Sequence, residues 1–171
     1  MDILKSKIRD IPDFPKPGII FKDITPLLAD PNSLRIAVHE LAKPFKNSNI
    51  TAVAGMEARG FIFGSLVALE LNVGFIPLRK AGKLPHKVKS INYTLEYGEA
   101  SLEAHVDAIK YGDQILLVDD LLATGGTAQA SYQLVNSLGG TVAACAFLIE
   151  LDFLNGRSQL ANTPIHSLIH Y

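Results

Sequence analysis

Ile115, Leu116, Leu117 and Val118 form an uninterrupted apolar run that ends on two adjacent acids, Asp119 and Asp120. The chain then passes through Leu121, Leu122 and Ala123 into Thr124-Gly125-Gly126-Thr127. A short, branched apolar run is what a parallel strand covered on both faces requires, and the helical spacing over 128–138 predicts a helix directly after it. The segment therefore reads as strand, loop, helix, with the loop at the carboxyl end of the strand. Open α/β sheets bind ligands at that end. A helix starting at Gly125-Gly126 aims unpaired backbone N–H groups and its positive dipole end at an anion, and Thr124 and Thr127 add hydroxyl donors. A phosphate fits this loop.

The acid pair restricts the kind of phosphate. A carboxylate about 4 Å from a phosphate charge is opposed by roughly 4 kcal/mol at an effective dielectric of about 20. Asp119 and Asp120 therefore call for hydrogen-bond donors or a cation. Vicinal sugar hydroxyls with a hydrated Mg²⁺ nearby supply both, which points to a ribose phosphate. A nucleoside triphosphatase also places acids after an apolar strand, but it needs a G-x-x-x-x-G-K-[ST] loop, which the sequence lacks. Asp120 or Thr124 as a helix cap, with the glycines as turn formers, accounts for single residues but not for acids, threonines and glycines together.

Val118-Asp119-Asp120-Leu121-Leu122-Ala123-Thr124-Gly125-Gly126-Thr127 resembles the phosphoribosyl pyrophosphate (PRPP) signature of type I phosphoribosyltransferases, in the form typical of members that use adenine. The resemblance implies that Ala123, Thr124, Gly125, Gly126 and Thr127 hold the ribose phosphate and that Asp119 and Asp120 hold the ribose hydroxyls. It extends over nearly the whole chain. Residues 14–26 are similar to the family's base-binding hood, implying that Phe21 stacks on adenine and that the backbone of Ile20 and Lys22 pairs with it. Lys22 departs from the arginine common there, which matters little if that residue contributes backbone groups only. Glu57-Ala58-Arg59-Gly60-Phe61 resembles the pyrophosphate loop, and Arg79, Lys80 and Lys83 match basic positions of the family. Leu95-Glu96-Tyr97-Gly98 resembles an element whose glutamate, here Glu96, carries a proton to the base. The implied reaction is transfer of the phosphoribosyl group from PRPP to adenine, with Mg²⁺ carried by pyrophosphate and water near Asp119 and Asp120. No residue is expected to coordinate the ion directly. Homodimers, with a basic lid residue reaching across, are common in the family. Use of hypoxanthine or guanine is the main alternative. A non-catalytic PRPP-binding regulator would need degraded base and pyrophosphate loops or added length.

The rest of the sequence agrees with that class. With 171 residues and 48% hydrophobic content, the chain can bury one sizeable core, so 1–171 is expected to form a single domain, with 1–30 contributing the hood. Sixteen Lys+Arg balance seventeen Asp+Glu, so no global basic field points to nucleic acid. Apolar stretches are too short for a membrane span, the amino terminus lacks the apolar core of a signal peptide, and the lone Cys145 reads as a core residue, which together suggest a cytoplasmic setting.

Taken in order, Asp2 is expected to cap a helix with Leu4, Ile8 and Ile11 on one face, ended by Pro12. Asp30-Pro31 starts a helix with Leu34, Val38 and Leu41 buried. Residues 50–54 read as a strand and 61–71 as a buried helix, with Arg59 offering a guanidinium fork at its start that suits pyrophosphate. Paired with Glu57, it would be an ordinary surface arginine. Residues 73–78 read as a strand with an irregular end at Pro77. The basic run from Arg79 to Lys89 has no periodicity and suggests a mobile cationic lid, poorly ordered over 79–93 without ligand because its charges lack internal partners. Ala100, Leu102, Ala104 and Val106 alternate with Ser101, Glu103 and His105, as in a half-exposed strand paired with 93–95. Residues 142–149 read as an internal strand and 165–171 as an edge strand. The five histidines show no metal-ligand spacing. The expected fold is a twisted parallel sheet with helices on both faces, an antiparallel flap and a small amino-terminal hood.

Overall fold

The computed structural model describes residues 1–95, 98–160 and 162–171, with backbone alone at 94, 95, 98 and 99. In chain order the elements are α1 (Asp2–Lys5), β1 (Arg9–Pro12), β2 (Ile20–Asp23), α2 (Thr25–Ala29), α3 (Pro31–Ala42), β3 (Ala52–Met56), α4 (Gly60–Leu71) and β4 (Gly74–Lys80). There follow β5 (Val88–Leu95), β6 (Gly98–His105), β7 (Gln114–Leu122), α5 (Gly126–Ser137), β8 (Thr141–Glu150) and β9 (Ile165–His170). Seven strands form one sheet in the order β5-β6-β4-β3-β7-β8-β9, and β1 and β2 form a separate antiparallel ribbon. Neighbours from β4 through β9 are parallel, while β6 joins β4 and β5 antiparallel, giving the flap. This is the expected architecture.

Successive residues of β7 enter opposite cores, as strand alternation requires. Leu116 and Val118 pack with α3 and α4 residues such as Leu41, Phe63 and Val67, whereas Ile115 and Leu117 pack with Leu134 and Val135 of α5. From β3 the chain moves one way to β4 through α4, and β7 pairs on the other flank of β3 and is followed by α5 on the opposite face. Strand order thus reverses between β3 and β7. A crevice opens at their carboxyl ends, the place where such sheets bind ligands.

Several expected boundaries shift, each for a tertiary reason. The amino-terminal helix is a single turn, Asp2 lies in its first turn rather than capping it, and residues 9–12 are a strand instead. One turn of helix has little stability of its own, and pairing with β2 decides the outcome: Asp10 lies opposite Lys22 and Ile11 opposite Phe21. Pro77 does not end β4. It pairs in register with Gly55, and β6 joins the other flank of β4 only at Arg79 and Lys80, so a residue without an N–H is tolerated. The basic run is therefore mostly strand, since β4 claims Arg79 and Lys80, β5 starts at Val88, and the connection spans only 81–87. Likewise β7 continues through both acids, because β8 carries the ladder on to Leu122 after pairing with β3 stops at Val118. Glu103 is 9% exposed rather than solvated, since β6 lies between β5 and β4.

Helix α4 approaches β7 closely at Gly60, where a Cβ would sit 2.7 Å from Asp119 Oδ1 and 2.9 Å from the Val118 carbonyl oxygen. Gly60→Ala is expected to lose about 1–3 kcal/mol of stability, the usual cost of overpacking, read as a lower urea midpoint. An unchanged midpoint would show that the approach tolerates a methyl group.

Candidate active site

Three segments meet at the crevice. The first is the β7–α5 loop. Gly125 occupies the position before the helix at φ 86°, its carbonyl accepting from Gln129 N at 2.9 Å, so the first-turn N–H groups of α5 point outward without helical partners. A Cβ on Gly125 would collide with the carbonyl of Gly156, and one on Gly156 with the carbonyl of Ala123. The loop is thus pressed against the 3₁₀ turn Gly156–Leu160 with no room for side chains. It encloses a cavity of about 90 Å³ lined by Asp119, Ala123, Thr124, Gly125, Gly126 and Thr127. That is roughly three waters' volume at about 30 Å³ each, the scale of one phosphate.

The second segment is the acid pair. Asp120 is 4% exposed, and its N–H donates to Asp119 Oδ1 at 2.8 Å. Burial, reinforced by the Asp120 charge, holds the Asp119 carboxyl well above the usual carboxylate range. Burial also raises Asp120, with the Arg59 guanidinium opposing it. Arg59 Nη2 lies 2.8 Å from Asp120 Oδ2, yet that oxygen receives no aligned hydrogen bond. A buried acceptor without an aligned donor, beside a second acid, suits sugar hydroxyls and hydrated Mg²⁺.

The third segment follows β3. Glu57 accepts from Lys83 Nζ at 2.7 Å, from the Lys80 N–H at 3.0 Å and from Arg79 Nε at 3.2 Å. Burial raises the Glu57 pKa, but the Lys83 ammonium and the Lys80 and Arg79 hydrogen bonds outweigh it, so the carboxyl lies below its ordinary value. Glu57, Lys80, Tyr93, Ser101 and Thr127 line a cavity of about 520 Å³, so Thr127 borders both cavities. The expected lid charges do have internal partners, Arg79 and Lys83 sharing Glu57. Arg59 instead reaches toward Asp120 and, at 3.4 Å, the Lys22 carbonyl, and its guanidinium carbon lies 4.9 Å from the centroid of the Phe21 ring. It therefore does not form the surface pair with Glu57.

Of the hood residues, Phe21 is half-buried against the edge of Phe14 at 5.2 Å, Ile20 is exposed, and the Lys22 side chain is buried against Asp10 at 2.7 Å. Ala58 is exposed between Glu57 and Arg59. Glu96 lies outside the described residues. Sequence reading missed Glu103, which accepts from Gly82 N and Ser90 Oγ, both at 3.0 Å, and so ties the two arms of the lid together. Its only sequence signal was an acid in an alternating strand. Gly156, far from the loop in sequence, carried none. The histidines also gave no hint that His170 would meet Glu150 and Asp152, but Arg157 already forks Glu150 at 2.5 and 2.8 Å. Cys145 is buried, which pushes its thiol up to about 12 and leaves it inert.

A model of the phosphoribosyl transferase domain matches residues 24–161. The adenine phosphoribosyltransferase of Nitrosococcus oceani is 70% identical over 171 residues, covering 100% of both chains. The crystal structure of the adenine phosphoribosyltransferase from Thermoanaerobacter pseudethanolicus superposes with a TM-score of 0.97 at 51% identity over 99% of each chain. That of the Saccharomyces cerevisiae enzyme, complexed with an imino-altritol bisphosphate and adenine, does so at 0.92 with 39% identity over 97% of this chain and 96% of that one.

Because the folded chain binds protons at Asp119 more tightly than the unfolded chain does, the ionised carboxylate costs stability above its folded pKa, and the cost is relieved as pH falls through it. Asp119→Asn keeps the acceptor for the Asp120 N–H and removes the charge. It should raise the apoprotein Tm at neutral pH by about 2–4 °C, the shift that ~1 kcal/mol produces in a domain of this size, while weakening the ribose phosphate ligand. A Tm that falls, with ligand affinity intact, would contradict both roles.

Proposed function

The chain belongs to the phosphoribosyltransferase family, and on that premise we propose how its residues share the reaction. It transfers the 5-phosphoribosyl group of PRPP to adenine, giving AMP and pyrophosphate, a step of purine salvage. A bond forms between the base nitrogen and C1 of the ribose, the bond from C1 to the pyrophosphate oxygen breaks, and the base gives up one proton.

The observation that carries the assignment of roles is the convergence of the phosphate cavity, the raised acid pair and the basic cluster on one crevice. Thr124, Gly125, Gly126 and Thr127, with the Ala123 backbone, hold the 5-phosphate through N–H and hydroxyl donors. Asp119 and Asp120 accept from the ribose hydroxyls. Arg59, Arg79, Lys80 and Lys83, with Glu57 and Ala58 shaping the loop, face the pyrophosphate. For an oxocarbenium-like ribose the protein's task is to position both reactants, neutralise the leaving group and exclude water. Glu57 stores Arg79 and Lys83 beside the crevice until a more negative partner arrives. Phe21 stacks on the base, while backbone groups of Ile20 and Lys22 pair with its edge. The contact from Arg59 to the Lys22 carbonyl is long, at 3.4 Å, which leaves that carbonyl able to accept from the amino group of adenine. Family resemblance assigns the departing proton to Glu96.

Mg²⁺ fits the hard-oxygen chemistry of Asp119 and Asp120, which would hold it through water and the pyrophosphate oxygens, where it would supply positive charge to the leaving group. The whole of 1–171 is assigned to one domain with 1–30 as hood, a reading supported by Leu4 and Leu27, both 0% exposed in the same core as the sheet. A homodimer is proposed on the family resemblance alone. A cytoplasmic setting agrees with the buried free thiol, and no helix among the described residues is long and apolar enough to cross a membrane. Nothing in the charge balance favours nucleic acid.

Incubation with PRPP, Mg²⁺ and each purine in turn tests the reading. AMP should form from adenine, and Phe21→Ala should weaken adenine use roughly ten- to a hundredfold, since base stacking is worth about 1–3 kcal/mol. Turnover of hypoxanthine or guanine without adenine would overturn the substrate assignment.

A further inference from the structure

Tyr171 lies one residue beyond β9, and two ammonium groups flank its ring. Lys22 Nζ is 3.6 Å from the ring centroid and Lys5 Nζ is 4.2 Å from it. The tyrosine backbone is fixed to the main sheet: its N–H donates to the Glu150 carbonyl and its carbonyl accepts from Asp152 N, both at 3.0 Å. The ring is therefore a reference point carried by the sheet. Lys5 Nζ also donates to the His170 carbonyl at 2.9 Å, and Lys22 Nζ lies 2.7 Å from Asp10 Oδ1. Asp10 sits opposite Lys22 in the β1–β2 ribbon. One aromatic ring thus ties α1, β1 and β2 to the sheet, with Asp10 relieving the repulsion between two nearby cations.

The direction of this tie matters. Along a strand, neighbouring side chains point to opposite faces, so Lys22 faces away from Phe21. Tyr171 holds β2 from behind while Phe21 presents its ring in front. The Lys22 carbonyl, in contact with Arg59, belongs to the same peptide stretch.

We propose that Tyr171 is a positioning residue for the purine. By holding the Lys22 ammonium, it sets the height of β2 above the crevice, and with it the placement of the Phe21 ring and the Lys22 carbonyl. The inference rests on the reading of the hood as the base site. It assigns the Lys22 side chain a task after all: the chain anchors rather than reads, and any cation able to sit on an aromatic ring serves, whereas a neutral residue does not.

Steady-state kinetics with adenine and PRPP varied separately, on Tyr171→Leu, Tyr171→Phe and Phe21→Ala, test it, with thermal denaturation of each variant. Tyr171→Leu should raise the KM for adenine roughly three- to tenfold while leaving the KM for PRPP within about twofold, and Tyr171→Phe, which keeps the ring, should return the parental value. If folded Tyr171→Leu uses adenine like the parent while Phe21→Ala does not, the proposal is overturned and the hood stands. If Phe21→Ala is also without effect, the hood reading fails with it. Equal losses for both substrates that track a lower Tm would make Tyr171 a prop of the fold only, which also overturns the proposal. Should Tyr171→Leu yield no folded protein, Lys22→Met, which keeps the stem and removes the ammonium, is read by the same criteria.

Discussion

Two adjacent carboxylates within a strand buried on both faces are costly, and much of the surrounding structure exists to make them tolerable. Asp120 is almost fully enclosed and Asp119 folds onto its neighbour's N–H, so neither is ionised as readily as in water. The Arg59 guanidinium lies beside Asp120 without completing a hydrogen bond to its inner oxygen. A site left short of donors in this way is poised for a ligand that brings its own. On the proposed reading, ribose hydroxyls and a hydrated cation would do so, and the energy held back in the free protein would then appear as binding.

The same economy of charge governs the basic side of the crevice. Arg79 and Lys83 converge on Glu57, a buried carboxylate kept ionised by them. Two cations left unpaired side by side at the mouth of a pocket would repel each other and cost stability. Pairing both with one acid offsets part of their charge and fixes the two cations beside the crevice. Glu103 makes the arrangement mechanical, since it binds the connection through Gly82 and β5 through Ser90.

Close backbone approach is the second constraint on the site. Gly60 lets the start of α4 touch Val118 and Asp119 of β7, and Gly125 and Gly156 let the loop between β7 and α5 lie directly on the segment after β8. Both contacts bring helix starts to the reversal point of the sheet, where the first-turn N–H groups of α5 are left without helical partners.

Much of this was legible in the order of residues. Ile115 to Val118 had to be a doubly covered strand because no polar residue interrupts it, and Gly125-Gly126 after two acids had to turn into a helix at the carboxyl edge. Alternating strands and helices then dictated a parallel sheet, and the loop sequences named the family. What the sequence left undecided were outcomes of pairing between distant segments. Residues 9–12 became a strand because β2 was there to bond with them, and β7 ran on through its acids because β8 extended the ladder. Arg59 chose Asp120 over Glu57, Glu103 was enclosed by two neighbouring strands, and Tyr171 met Lys22 across most of the chain. Local spacing records which face of an element is apolar, but a charge's partner and a strand's last residue depend on atoms brought close only by the finished fold.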